Sequence, residues 1–224
     1  AFFKTKPVEQ LFDLSSDPHE TLNLAGNQEY GAVLLSLRNR LTQKMNAIHD
    51  LSFYPENHMV KHALDDGIEF GQTHAEEIRL LQQTANLALL PFEQAEEKIR
   101  RAISHDSPLV RYWALTVCSS FGVKAKPLLK NTAPRLNDPD PLVRVRAAEF
   151  IALVSGQDPR PTFYQVLNEN NGELVSLITL NAAVLFHDMK NGYPFDVSQL
   201  KDPDGRNEVK RRLDYLAGRL KQKK

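Results

Sequence analysis

Apolar and polar positions divide the chain into three zones. Val8, Leu11, Phe12 and Leu14 form a short run rich in strand formers. Asp17-Pro18-His19-Glu20 follows at the spacing of a capping box, with Asp17 as N-cap, Pro18 at the first helical position and Glu20 at the third. This predicts a short helical turn through Leu22 and Leu24 that stops at Gly26. Asn27 then caps a longer helix whose apolar positions Tyr30, Val33, Leu34, Leu37, Leu41, Met45 and Ile48 recur every three or four residues. That helix is expected to lay its stripe on the strand. Residues 49–75, with Pro55, Gly67 and Gly71 and little periodicity, read as an irregular linker. From residue 76 the chain reads as helix after helix, broken by short Pro, Gly, Asn and Asp turns.

The helical zone is internally repetitive. Ser107-Pro108-Leu109-Val110-Arg111-Tyr112-Trp113-Ala114 aligns with Asp140-Pro141-Leu142-Val143-Arg144-Val145-Arg146-Ala147, 33 positions later. A third, degenerate copy starts at Glu173-Leu174-Val175, with Ser176 where the arginine stands. A further helical segment precedes each copy, at 93–104, 124–136 and 161–168. The unit is therefore a helix pair. Asp106 or Ser107, and Asp138 or Asp140, are placed to cap the second helix, with proline beside the cap. One pair cannot bury its apolar face alone, so pairs are expected to stack on a shared core. Residues 76–90 would open the stack and 207–220 close it.

Composition narrows the function classes. The 224 residues carry 28 Lys and Arg against 28 Asp and Glu. A neutral total argues against nucleic-acid binding, which normally needs a basic excess. The total hides a gradient: residues 1–100 hold nine basic and fifteen acidic side chains, and the remainder nineteen and thirteen. Solvated helix faces explain that bias as well as an anionic partner does. The basic tail (Lys210, Arg211, Arg212, Arg219, Lys221, Lys223 and Lys224) is also what a helix dipole favours at its C-terminal end. One cysteine excludes an internal disulfide and a cysteine-based zinc cluster. No apolar run approaches the roughly 18 residues of a membrane span.

The string from Glu9 to Ala25, Glu-Gln-Leu-Phe-Asp-Leu-Ser-Ser-Asp-Pro-His-Glu-Thr-Leu-Asn-Leu-Ala, resembles the ending of type I sulfatases, with Phe12 in place of the usual tyrosine. The resemblance covers residues 7–45. Residues 50–56, Asp-Leu-Ser-Phe-Tyr-Pro-Glu, are similar to a segment that follows in the sulfamidase-like bacterial group. The resemblance implies a small C-terminal subdomain, an antiparallel sheet with one helix, packed on a large catalytic domain. It also implies hydrolysis of sulfate esters or sulfamates on a glycan, calcium in the catalytic domain, and export to the periplasm or beyond. The family's nucleophile sits in a Cys/Ser-x-Pro/Ala-x-Arg motif. Here Cys118 is followed by Ser119-Ser120-Phe121-Gly122, which lacks the proline and the arginine. The resemblance therefore places the catalytic domain upstream of Ala1 and assigns this chain no catalytic, cofactor or metal residue.

The repeated Asp-x-Pro-x-Val-Arg-x-x-Ala pattern resembles HEAT repeats over residues 76–188. That resemblance implies a ladder in which Arg111 and Arg144 reach an acidic residue of an adjacent turn, with Ser176 breaking it.

Four residues stand out as a possible interaction surface: His58, His62, Trp113 and Arg146. On a helix, His58 and His62 would share one face, with Glu56, Asp65, Asp66 and His74 near in sequence, an arrangement suited to a metal. Ordinary surface histidines are the competing reading. Trp113 could stack on a sugar ring beside a cation, or fill the joint between two repeats as a core residue. Arg146, with Arg111, Arg135 and Arg144, could form a basic strip for a sulfated glycan. If Arg144 is held in the ladder, Arg146 is left free. Cys118 lies on an apolar repeat helix and reads as an inert buried thiol.

The expected architecture is mainly α: a HEAT-like α-solenoid of stacked helix pairs at 76–224, preceded by a linker at 49–75 and a short α+β segment, strand plus helix, at 1–48. The expected role is that of a non-catalytic C-terminal part of a sulfatase, with the upstream catalytic domain as partner. The alternative is an independent HEAT-repeat scaffold for protein partners. If residues 1–48 pack on another domain, their outer face should be unusually apolar.

Overall fold

The structure, a computed structural model, describes residues 7–190 and 192–220. Lys221, Lys223 and Lys224 of the basic tail lie outside them. The described chain is mainly helical and contains no strand. Residues 8–14, expected to be extended in a sheet, form a single backbone bond with a later segment, from the Leu24 N–H to the Leu11 carbonyl at 2.7 Å. A strand needs a ladder of partners for its amides and carbonyls, and no other described segment supplies one. The predicted turn at Asp17 also differs. Glu20 takes a positive φ of 53°, and the Asp17 carboxylate accepts from the Leu22 N–H at 2.8 Å and the Thr21 hydroxyl at 2.9 Å. The aspartate closes a loop there rather than starting a helix.

Asn27 does cap. Its side chain accepts from the Glu29 N–H at 3.0 Å, and a 3-10 turn leads into α1, Gly31–Ala47. Residues 49–75, expected to be irregular, contain two short helices, α2 (Glu56–His62) and α3 (Gly67–Thr73). Asp66 starts α3 by accepting from the Ile68 and Glu69 N–H groups at 3.0 and 2.9 Å. That cap outweighs the cost of Gly67 at the first helical position.

Next come α4 (Ala75–Ala85), α5 (Phe92–Ile103) and α6 (Pro108–Phe121). Gly122, at φ 55°, ends α6 in a conformation that favours glycine. Residues 122–137 wind as 3-10 turns around a single α turn, α7 (Leu129–Thr132), because Pro127 and Pro134 cannot donate to a continuous α ladder. After them run α8 (Pro141–Ser155), α9 (Arg160–Asn168), α10 (Glu173–Asp188) and α11 (Asn207–Leu216). Asp140 caps α8 through the Leu142 and Val143 N–H groups. Ser107 does not cap α6 with its side chain.

The helices stack in chain order. The second helix of each pair, α6 then α8 then α10, packs on the next, and α4, α5, α9 and α11 fill in beside them. Helix α8 is buried on both sides. Val143, Ala147, Phe150 and Ile151 join a core with α5 and α6, whereas Leu142, Val145, Ala148 and Ala152 join one with α9, α10 and α11. This explains why α8 reads as apolar all round rather than amphipathic. A third core, Phe53, Tyr54, Ile78, Leu81 and Val110, ties residues 51–54 to α4 and α6.

Candidate docking surface

Residues 8–25 are fastened to α1 by polar ties. Arg38 on α1 grips Glu9 through two bonds, at 2.8 and 2.6 Å. Asn23 bridges back to the same run, accepting from the Leu11 N–H at 2.9 Å and donating to the Glu9 carbonyl at 3.2 Å. Met45 packs against the core of Phe53, Ile78 and Leu81, but many apolar side chains of this region are left outside. None of the residues of α1 is buried. Leu41 is 60% exposed, Ile48 55%, Leu14 61% and Leu22 63%, with Val8, Val33, Leu35 and Leu37 also open. Between this layer and α4 lies a cleft of about 460 Å³ lined by Val8, Leu11, Leu34, Leu37, Met45 and Gln82. A scattered exposed leucine is ordinary, but several on one element make a candidate docking surface.

Of the four residues singled out in the sequence, Trp113 and Arg146 are engaged within the fold, and His62 is exposed. Trp113 donates its indole N–H to the Phe53 carbonyl at 2.7 Å and packs on the Phe53 ring at 5.8 Å. A tryptophan so engaged belongs to the joint between residues 51–54 and α6 and is not offered to a sugar. Arg146, expected to be free, is held by Glu149 at 2.5 Å and the Tyr112 hydroxyl at 3.0 Å, with its guanidinium over the Tyr112 ring. It therefore contributes no open charge to a basic strip. Burial pushes the Glu149 carboxyl above its ordinary range, against the pull of Arg146.

His58 and His62 do share a face of α2, their ring centres 4.6 Å apart. His58 stacks on Tyr54 at 4.7 Å, and the Tyr54 hydroxyl donates to Glu77 at 2.6 Å. Burial, then the neighbouring His62, holds the His58 imidazole below its ordinary value. Burial and Glu77 push the Tyr54 hydroxyl up. His58 and Trp113 thus meet through the Phe53–Tyr54 dipeptide, and Arg146 reaches the same joint through Tyr112. The Tyr54–Glu77 bond joins residues 23 positions apart, so no local motif announces it.

Among the described residues no group of three or more His, Cys, Asp and Glu is placed to hold a metal ion. Burial pushes the Cys118 thiol up to about 12, which leaves it protonated and unreactive. No described helix is long and apolar enough to cross a membrane.

The buried charges are structural. Arg111 on α6 makes two bonds to Asp138 in the turn before α8, at 2.8 and 2.7 Å, and donates to the His105 and Asp106 carbonyls. Burial pushes the Asp138 carboxyl up, but Arg111 and the Asp140 N–H outweigh it and hold it below the ordinary range. One repeat later Arg144 pairs with Glu169. In the third copy Ser176 instead bonds its own helix, donating to the Gly172 carbonyl at 3.1 Å.

No family model matches this chain, and no solved structure matches it. Over 59 residues, 26% of the chain, it is 44% identical to a protein described as an "Ulvan-active sulfatase" from Formosa agariphila. The matched stretch amounts to 10% of that protein's length. This chain is thus similar to a small part of a sulfatase.

Proposed function

We propose that this chain is a non-catalytic part of a sulfatase that hydrolyses sulfate esters or sulfamates on a glycan. Residues 8–48 dock on the catalytic domain, and the helical stack serves packing, substrate access or assembly. The observation that carries this reading is the exposed apolar face of α1 and residues 8–22, on a segment whose sequence resembles a sulfatase ending. The 59-residue similarity to a sulfatase supports it. In this reading the partner domain supplies the formylglycine nucleophile and the calcium site, and the protein is exported.

The stack is read as HEAT-like. Two consecutive arginine-to-carboxylate ties, Arg111 to Asp138 and Arg144 to Glu169, start from equivalent arginines of successive pairs and support that reading. The same ties suit the rival reading, an independent HEAT-repeat scaffold for protein partners. The apolar face of α1 is what favours the sulfatase reading over it.

The test is the uninterrupted reading frame that encodes this chain. A Cys/Ser-x-Pro/Ala-x-Arg motif within it, and sulfate release from an aryl sulfate by the full product but not by this chain, are the expected results. A frame without that motif, or a full product with no sulfate release, overturns the proposal.

A further inference from the structure

Three imidazoles converge on the joint that fastens residues 51–62 to the helical stack. His58 stacks on Tyr54, His62 leans on His58 with its ring tilted by 44°, Phe70 meets both Tyr54 and His58 edge-on at 5.4 and 6.2 Å, and His74 stacks on Phe70 at 4.0 Å. Tyr54 is 3% exposed, and the carbonyl of its neighbour Phe53 receives the Trp113 indole N–H. The ring cluster and the seat of Trp113 are therefore one packed unit.

Little charge is available to offset a protonated imidazole here. On the same helix stand His62 and Lys61, both unfavourable to a second positive charge. From α4 comes Glu77, which accepts the Tyr54 hydroxyl and favours a charged His58, and beyond α3 stands His74, which opposes it. His58 also lines a cavity of about 210 Å³ with Ser107, Tyr112 and Asp140, beside the first residues of α6 and α8. Helix N-terminal ends carry positive partial charge, and Asp140 is already committed to capping α8. Helix α10 also touches α2. Its titratable groups are engaged elsewhere: Glu173 with Asn207, His187 with the Phe195 N–H, and Asp188 with Tyr215.

We propose that this joint is a proton-operated latch, in which protonation of His58, packed between Tyr54 and His62, releases residues 51–62 from α4 and α6. A neutral His58 ring stacks on Tyr54 and stays partly buried. A charged one draws water into the aromatic cluster. The sign follows from linkage. The His58 imidazole titrates lower in the folded protein than the ordinary 6.5, so the open state binds more protons than the closed one below that value. The closed joint is stable above about pH 6.5 and loses stability as pH falls through that region.

The chain carries a single tryptophan, and its indole N–H bond to Phe53 makes it a reporter of the latch. The experiment follows Trp113 fluorescence from about pH 7.5 to about pH 5, the range over which histidine changes charge, with far-ultraviolet circular dichroism alongside. The expected result is a reversible red shift on acidification while helix content holds. His62→Gln, at an exposed position, should reduce the shift, and the His58→Gln/His62→Gln double variant should largely abolish it. His19→Gln, outside the cluster, should leave it unchanged. The proposal is overturned if wild-type emission does not move. It is equally overturned if His62→Gln shifts as far as wild type, or if helix content falls in step with the emission. The wild-type and His62→Gln arms decide the matter even where the double variant fails to fold.

Discussion

The front layer, residues 8–48, and the stack from α4 to α11 use the same side chains to opposite ends. Both have leucines and valines at helical spacing. In the stack these residues disappear: Leu81, Ile99, Leu115, Phe150 and Leu180 are completely buried. On α1 no residue is buried, and the layer is held by Glu9–Arg38, the Asn23 bridge and the packing of Met45 on the third core. An amphipathic pattern therefore states that a face needs cover without stating where the cover comes from. The stack finds it in the next helix pair. The front layer finds little within the described chain.

The largest expected effect is in the stack's charge ladder. Asp138→Ala leaves the Arg111 guanidinium buried without its partner, and loss of one member of such a pair costs about 3–5 kcal/mol. Urea unfolding of the variant measures it, and a change below about 1 kcal/mol would contradict a structural role for the pair. The same carboxylate sets an acid limb. Its folded value lies below the ordinary 3.8, so its contribution is present above about pH 3.8 and is lost as pH falls through the folded value. Wild type should therefore lose stability on acidification more steeply than Asp138→Ala, a difference that stability curves at several pH values will show.

Next is Leu81→Ala on α4, which empties a site in the core shared by Phe53, Tyr54 and Val110. Such truncations cost about 2–5 kcal/mol. Trp113→Phe removes the indole donor and strands the Phe53 carbonyl, at about 1–3 kcal/mol. The smallest effect belongs to the front layer: Leu41→Ala should change the stability of the isolated chain by less than about 0.5 kcal/mol. A cost at Leu41 comparable to that at Leu81 would erase the contrast between the two regions.

Much of the stack was legible because its signals are local. The copies at Ser107 and Asp140 expose the repeat, and proline beside each cap sets the helix starts within a residue or two. The ladder partners were partly legible: Arg111 and Arg144 stood out, although Glu169 has no counterpart in the repeat pattern. What failed depended on distant partners or on competing local signals. Residues 8–14 have strand formers but no neighbour to pair with. Gly67 and Pro55 read as breakers, although the Asp66…Glu69 spacing that starts α3 was present. Arg146 reads as free when only the pairing between repeats is visible in the pattern, whereas its partner Glu149 lies three positions ahead on the same helix. Trp113 could be placed only once Phe53, sixty positions away, was seen to accept its N–H.

The central claim is that α1 is a docking face. Hydrogen exchange of the backbone amides of residues 33–48, compared between this chain alone and the full product of its reading frame, tests it most directly. The account predicts strong added protection along α1 in the full product, with α8, Pro141–Ser155, unchanged. Equal exchange of α1 in the two would contradict it.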